Sequence, residues 1–194
     1  MCLQKIAALR FDFGGCGESE DREITLKNQI DDLKFAINYV RENGYSKIGL
    51  LGESFGGLTS ILAYDDNIKT LVLWAPVTKS KTPSILQKEK FRQELNNRGF
   101  VIYRKDGRNF KIPKEYFEER QNINQKEILS KIKSPVLIIH GNKDEVVPLN
   151  HSQEAMEYLP PNSRLEIIEG GNHTFNNRIK KVVDISVRWF RKYL

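Results

Sequence analysis

A serine hydroxyl becomes a useful nucleophile at neutral pH only when a general base takes its proton and a third group orients that base. One stretch of this chain sets a serine in a suitable local context. In KIGLLGESFGG, Lys47 to Gly57, an apolar run (Ile48, Leu50, Leu51) meets Gly52-Glu53-Ser54-Phe55-Gly56. Leu58, Ile61, Leu62 and Ala63 then recur at helical spacing. The pattern predicts strand, tight turn, helix, a G-x-S-x-G elbow that lifts the Ser54 hydroxyl off a sheet edge. Glycines at 52 and 56 are expected where side chains would clash as the helix folds back on the strand. The first N–H groups of that helix favour developing negative charge beside the hydroxyl.

The chain has three histidines that could serve as base. His140 ends PVLIIH, a strand of buried character, and is expected to be a satisfied core histidine. His151 opens a helix and is expected to face solvent. His173 follows Gly170-Gly171-Asn172 in a loop directly after a strand, at the same sheet edge as Ser54. Ligands bind at that edge in open parallel sheets, so His173 is the expected base. For the carboxylate, Asp144 lies in the loop after PVLIIH. A loop aspartate beside Asn and Gly is usually a turn former, but this one stands at the right end of the right strand to orient His173. Asp12 also ends a predicted strand, but DFGGCGES, Asp12 to Ser19, reads as a structural turn with Asp12 tying down loop amides. Cys16, between two glycines, is a conceivable second nucleophile and reads better as a small loop residue.

These residues need a frame that brings them together. Strands are predicted over Lys5–Phe13, from Lys47 into the elbow, and over Ile68–Trp74, Pro135–His140 and Arg164–Glu169. Helices are predicted from about Leu26 to Glu42 with Thr25 as its cap, after Ser54, over Ser152–Leu159, and over Arg178–Leu194. Strands alternating with helices imply a mostly parallel sheet covered on both faces, an α/β fold in one domain over residues 1–194. Residues 78–130 break the rhythm and are too long for an ordinary connection. They hold helical periodicity around Ile85–Leu95, turn signals at Gly99, Asp106-Gly107 and Pro113, and a short helix near Glu115–Glu119. This segment is read as an inserted cap over the Ser54 edge. Its aromatics, Phe91, Phe100, Tyr103, Phe110, Tyr116 and Phe117, are expected in part to line an apolar pocket.

Taken together, the chain resembles the α/β-hydrolase superfamily, and within it the small short-capped serine esterases, cinnamoyl/feruloyl esterase-like or serine-aminopeptidase-like. The order Ser54, Asp144, His173 is the family's order of nucleophile, acid and base. Asp12-x-x-Gly15-x-Gly17-x-Ser19 resembles the loop after the family's fourth strand, HGNKDEVVP (140–148) its acid loop and GGNHTF (170–175) its histidine loop. The resemblance implies hydrolysis of carboxylic esters through an acyl-enzyme on Ser54, with the Phe55 N–H donating to the oxyanion. It implies no cofactor and no metal. A peptidase or acyltransferase on the same triad, or a non-catalytic relative, are the alternatives. The family's second oxyanion donor follows its third strand, for which this chain shows no counterpart. A fragment of a longer protein, a strand supplied by another chain, or a shift of the fourth strand onto the fifth is the expected outcome, with weak turnover from residues 1–194 alone.

Composition is consistent with a soluble globular protein of 194 residues, 39% hydrophobic and 29% charged. No apolar run is long enough for a membrane helix, and the opening residues lack a signal peptide's apolar region, so a cytoplasmic location is expected. Cys2 and Cys16 flank an expected extended strand, beyond disulfide reach, and are read as reduced. The net charge of +6 concentrates in residues 79–133, with 15 Lys and Arg against 7 Asp and Glu. These charges interleave with glutamates and aromatics and carry no nucleic-acid motif. The expected partner is a small-molecule ester, with neither nucleic acid nor membrane, and no oligomeric state is implied.

Overall fold

The computed structural model describes residues 6–80, 84–105 and 107–194. Helix α1 spans Leu26–Glu42, and the Thr25 hydroxyl accepts the Asn28 N–H at 3.0 Å, satisfying one of the free donors at the helix start. Strand β1 (Ile48–Glu53) runs into the elbow and helix α2 (Phe55–Leu62), and strand β2 follows over Ile68–Trp74. After an inserted segment come β5 (Val136–Gly141), α6 (Leu149–Ala155), β6 (Arg164–Ile168) and the closing helix α7 (Ile179–Tyr193). The strands form one parallel sheet in the order β1-β2-β5-β6.

Side-chain alternation divides the core between the two sheet faces. Leu71 and Leu73 of β2 with Val136 and Ile138 of β5 pack towards α1, α2 and α6. Val72, Leu137 and Ile139 point the other way, onto Val182, Ile185, Trp189 and Phe190 of α7. Gly49 on β1 admits α7, because a Cβ there would stand 2.7 Å from the Phe190 ring. Towards the end of β1 this cover runs out, and Leu51 is 48% exposed.

The expected strand over Lys5–Phe13 is not formed across its described part. Residues 6–13 carry no strand, and Leu9 and Phe11 are exposed. An apolar run of strand-like composition becomes a strand only when a ladder partner takes its N–H and C=O groups, and none does so among the described residues. Lys5, the first residue of that reading, lies outside the described residues, as does Cys2. β1 is therefore an edge strand, with no ladder partner on its outer side among the described residues. Phe35 and Tyr39 on the adjacent α1 are 76% and 53% exposed.

The inserted segment has its own small core. Helix α3 (Glu89–Arg98) leads through Gly99, at φ +73°, into an antiparallel hairpin of β3 (Phe100–Lys105) and β4 (Arg108–Pro113), then helix α4 (Lys114–Gln121) and the short α5 (Gln125–Leu129). The turn expected here is present at Gly107, φ +77°, and the strands on either side of it were not part of the sequence expectation. Leu86, Leu95, Val101 and Phe117 are buried together, with Phe91 and Tyr116 against them. Three of the six aromatics expected at an acyl pocket, Phe91, Tyr116 and Phe117, thus hold this segment together, Tyr103 is exposed, and the Tyr116 ring also lies against the elbow, 5.1 Å from the Phe55 ring. Glu119 reaches the N-terminus of α1, accepting the Leu26 N–H at 2.6 Å and the Lys27 N–H at 3.2 Å. No helix among the described residues is long and apolar enough to cross a membrane.

An unprotected apolar edge strand templates association with other strands. The protein is expected to self-associate with rising concentration, and Leu51→Lys to reduce this without lowering the melting temperature, as read by light scattering and thermal unfolding. Equal scattering from both proteins would show that the β1 edge is not the adhesive surface.

Candidate active site

The elbow is strained in the way its geometry requires. Ser54 sits at φ 52° and ψ −114°, a left-handed conformation rare for a residue with a Cβ. Backbone bonds hold it there: its N–H donates to Trp74 O at 2.7 Å, and its carbonyl accepts the N–H groups of Val77 at 3.0 Å and Gly57 at 3.1 Å. Gly52 is obligatory, since a Cβ would lie 2.3 Å from Gly56 O. The expectation for Gly56 is corrected: a Cβ there meets nothing within 4 Å. The second tight position is Gly57, where a Cβ would approach Pro76 Cβ to 2.8 Å as α2 crosses the end of β2.

Two loops at the same sheet edge bring the partners. The loop after β5 and the loop after β6 are stitched together by Asn142 N–H to Ile168 O (3.2 Å), Lys143 N–H to Gly171 O (2.9 Å) and Gly170 N–H to Asn142 Oδ1 (2.7 Å). Gly141 allows the approach, because a Cβ would stand 2.1 Å from Gly171 O. Their side chains meet as a result. His173 Nδ1 is 2.8 Å from Asp144 Oδ2, and His173 Nε2 is 3.0 Å from Ser54 Oγ, across separations of 29 and 119 residues. The Asp144 side chain is fully buried and the His173 side chain 17% exposed.

A carboxylate without water must find its donors in the protein. Asp144 Oδ1 accepts the N–H groups of Val146 and Val147, both at 2.8 Å. Oδ2 faces His173 and, at 3.2 Å, His140 Nε2. Burial alone would raise the Asp144 carboxyl. Hydrogen bonds from His140, His173, Val147 and Val146 outweigh it and hold the group well below the usual carboxylate range.

The remaining candidates stand outside the Ser54–His173–Asp144 chain of bonds. His140 is fully buried and bonded, as expected, but its contact with Asp144 was not legible from the strand pattern. His151 is half-buried in α6, and its carbonyl accepts the Gln125 side chain at 2.8 Å. Asp12 ties down its loop, with Oδ2 accepting the Glu18 N–H at 3.1 Å and its carbonyl accepting the Ser19 hydroxyl at 2.6 Å. Burial, then the charges of Asp12 and Asp32, push the Cys16 thiol up and disfavour the thiolate a nucleophile would need. Phe55 opens α2 directly after Ser54, with its ring under the guanidinium of Arg120 at 4.8 Å.

The sequence profile of the prolyl oligopeptidase family matches residues 22–194. The chain belongs to that family. Its fold is that of the α/β hydrolases: Est1E from Butyrivibrio proteoclasticus, solved with ferulic acid, superposes with a TM-score of 0.75 at 26% identity, covering 94% of this chain and 75% of that one. A monoacylglycerol lipase from Paleococcus ferrophilus superposes with a TM-score of 0.74 at 18% identity, over 95% of this chain and 82% of that one. Among curated proteins, the serine hydrolase BPHL of Mus musculus is 28% identical over 90% of this chain, and that of Homo sapiens 25% identical over 87%. The chain spans 66% and 63% of the lengths of those two proteins.

A carboxyl with a depressed folded pKa contributes stability that is present above its unfolded value, about 3.9, and is lost as pH falls through the folded value. Asp144→Asn turns an amide NH₂ or a weaker acceptor towards donors that need a carboxylate. It is expected to be less stable than wild type at pH 7 in denaturant titrations, with the gap closing progressively below about pH 4. A gap independent of pH would mean that the carboxylate charge contributes nothing to folding.

Proposed function

We propose that Ser54, His173 and Asp144 act as nucleophile, base and orienting acid in the hydrolysis of carboxylic esters. One observation carries the reading: the His173 ring is bonded on both sides, to the Ser54 hydroxyl through Nε2 and to the buried Asp144 carboxylate through Nδ1. With its hydrogen on Nδ1, facing Asp144, the ring leaves the Nε2 lone pair free to accept the serine proton. Ser54 Oγ attacks the ester carbonyl while Nε2 takes that proton. Asp144 stabilises the imidazolium through the Nδ1–H bond without itself becoming protonated. The Phe55 N–H, at the positive end of α2, donates to the oxyanion. Collapse expels the alcohol, which takes the proton from Nε2 and leaves an acyl-enzyme. A water deprotonated by the same nitrogen then releases the acid.

The ester reading is supported by the likeness to Est1E, solved with ferulic acid, and the short inserted segment beside Phe55 is read as the cap that sets substrate choice. A second reading, cleavage of peptide or aminoacyl amides on the same groups, is favoured by membership of the prolyl oligopeptidase family.

Fluorophosphonate labelling tests the nucleophile directly. Wild type is expected to label at Ser54, Ser54→Ala not at all, and His173→Ala more slowly by about 10⁴-fold or more. Undiminished labelling of Ser54→Ala would remove the proposal. A panel of p-nitrophenyl esters beside aminoacyl p-nitroanilides separates the two readings, and turnover confined to the anilides would decide for the peptidase.

A further inference from the structure

We infer that His140 is a positioning residue for the Asp144 carboxylate, with Ser152 fixing the orientation of its ring. The inference rests on the proposed roles of Ser54, His173 and Asp144.

The placement begins with strand alternation. Val136, Ile138 and His140 share one face of β5, the face covered by α6. Two apolar residues and then a histidine occupy equivalent positions in a core layer. His140 has no exposed surface. An imidazole in such a place costs stability unless both nitrogens find partners, whereas another Ile or Leu would carry no such cost. Both nitrogens do find partners, and one of them is Asp144.

The geometry also assigns the hydrogen. Nε2 lies 2.9 Å from Val147 O and 3.2 Å from Asp144 Oδ2. Both are acceptors, so Nε2 must carry an N–H; it donates to Val147 O and turns its positive end towards Asp144 Oδ2 as well. A ring with its single hydrogen on Nε2 presents Nδ1 as an acceptor, and Ser152 Oγ lies 2.7 Å away. The Ser152 hydroxyl donates there and selects the same tautomer. Ser152 is itself fully buried on α6 and has no rival tie to solvent.

The consequence falls on Asp144. Its Oδ1 is held by two backbone N–H groups of its own loop. Without His140, Oδ2 would be held by His173 alone, the ring whose charge must change during the reaction. With His140, both oxygens are anchored independently of His173, and the carboxylate plane stays aimed at Nδ1 as the imidazolium forms and decays. The same N–H shares Oδ2 with His173, so His140 also tempers how strongly that oxygen draws on the His173 hydrogen. His140 touches no reacting atom and acts through Asp144.

Two amide replacements test this because they are matched in polarity and differ in reach. The glutamine of His140→Gln can set its NH₂ where Nε2 stood and still donate to Asp144. The asparagine of His140→Asn mimics Nδ1 and stops short of the carboxylate. Fluorophosphonate labelling of Ser54 is expected to be roughly 10–10²-fold slower in His140→Asn than in His140→Gln, as for a catalytic group displaced by about 1 Å. Melting temperatures measured alongside should not reproduce that ranking. Labelling of the two variants within about twofold of each other, or labelling that follows melting temperature, overturns the inference. Ser152→Ala leaves His140 in place and gives an arm that needs no labelling. The far-downfield proton NMR signal of the His173 Nδ1–H is expected to shift or broaden in Ser152→Ala, and an unchanged signal tells against the inference. If wild type does not label, the hydrolase reading fails, and the NMR arm still decides whether His140 is coupled to the Asp144–His173 bond.

Discussion

The site depends on one buried anion. A carboxylate removed from water is tolerated only where the protein supplies its donors. Asp144 gathers four: the amides of Val146 and Val147 on one oxygen, and ring nitrogens of His173 and His140 on the other. Each donor constrains a different part of the chain. The two amides curl the loop after β5 into a tight turn. His140 ties that turn to the strand beneath it. His173 ties it to the loop after β6. The anion therefore organises the sheet edge at which Ser54 stands.

Close backbone packing makes this possible. The loops after β5 and β6 approach so nearly that Gly141 and Gly171 leave no room for a side chain between them. The elbow obeys the same rule, with Gly52 against Gly56 and Gly57 against Pro76. Ser54 is held in a left-handed conformation by three backbone bonds to neighbouring segments. Strain of this kind persists only where the surroundings over-determine it. A parallel sheet provides that rigidity, because β1, β2, β5 and β6 all end at the same edge and each is registered on its neighbour.

The inserted segment and the sheet edge show the opposite situation, where local pattern meets an unmet requirement. Phe100–Lys105 and Arg108–Pro113 found each other as a hairpin because two strands separated by two residues carry their own partner. Residues 6–13 had comparable strand character and no partner, so they stayed irregular and left Leu9 and Phe11 exposed. Beside them β1 keeps an open edge, and Phe35 on α1 projects into solvent.

By itself the sequence determined whatever depends on neighbours in the chain. Helix α1 from Leu26 to Glu42 with its Thr25 cap, β2 from Ile68 to Trp74, and the turn at Ser54 follow from periodicity, capping and glycine placement. Asp144 and His173 were legible for a related reason: in a parallel sheet every strand delivers its following loop to one edge, so chain order alone nominates loop residues. Only the tertiary structure decided what depends on partners distant in sequence. It left residues 6–13 without a ladder, moved the second steric constraint of the elbow from Gly56 to Gly57, and packed Phe91 and Phe117 into the inserted segment's own core. It also joined His140 to both Asp144 and Ser152. An apolar strand ending in histidine announces burial, but which oxygen the ring meets is set by how the next loop curls and where α6 lands. Those are properties of packing, and no local pattern encodes them.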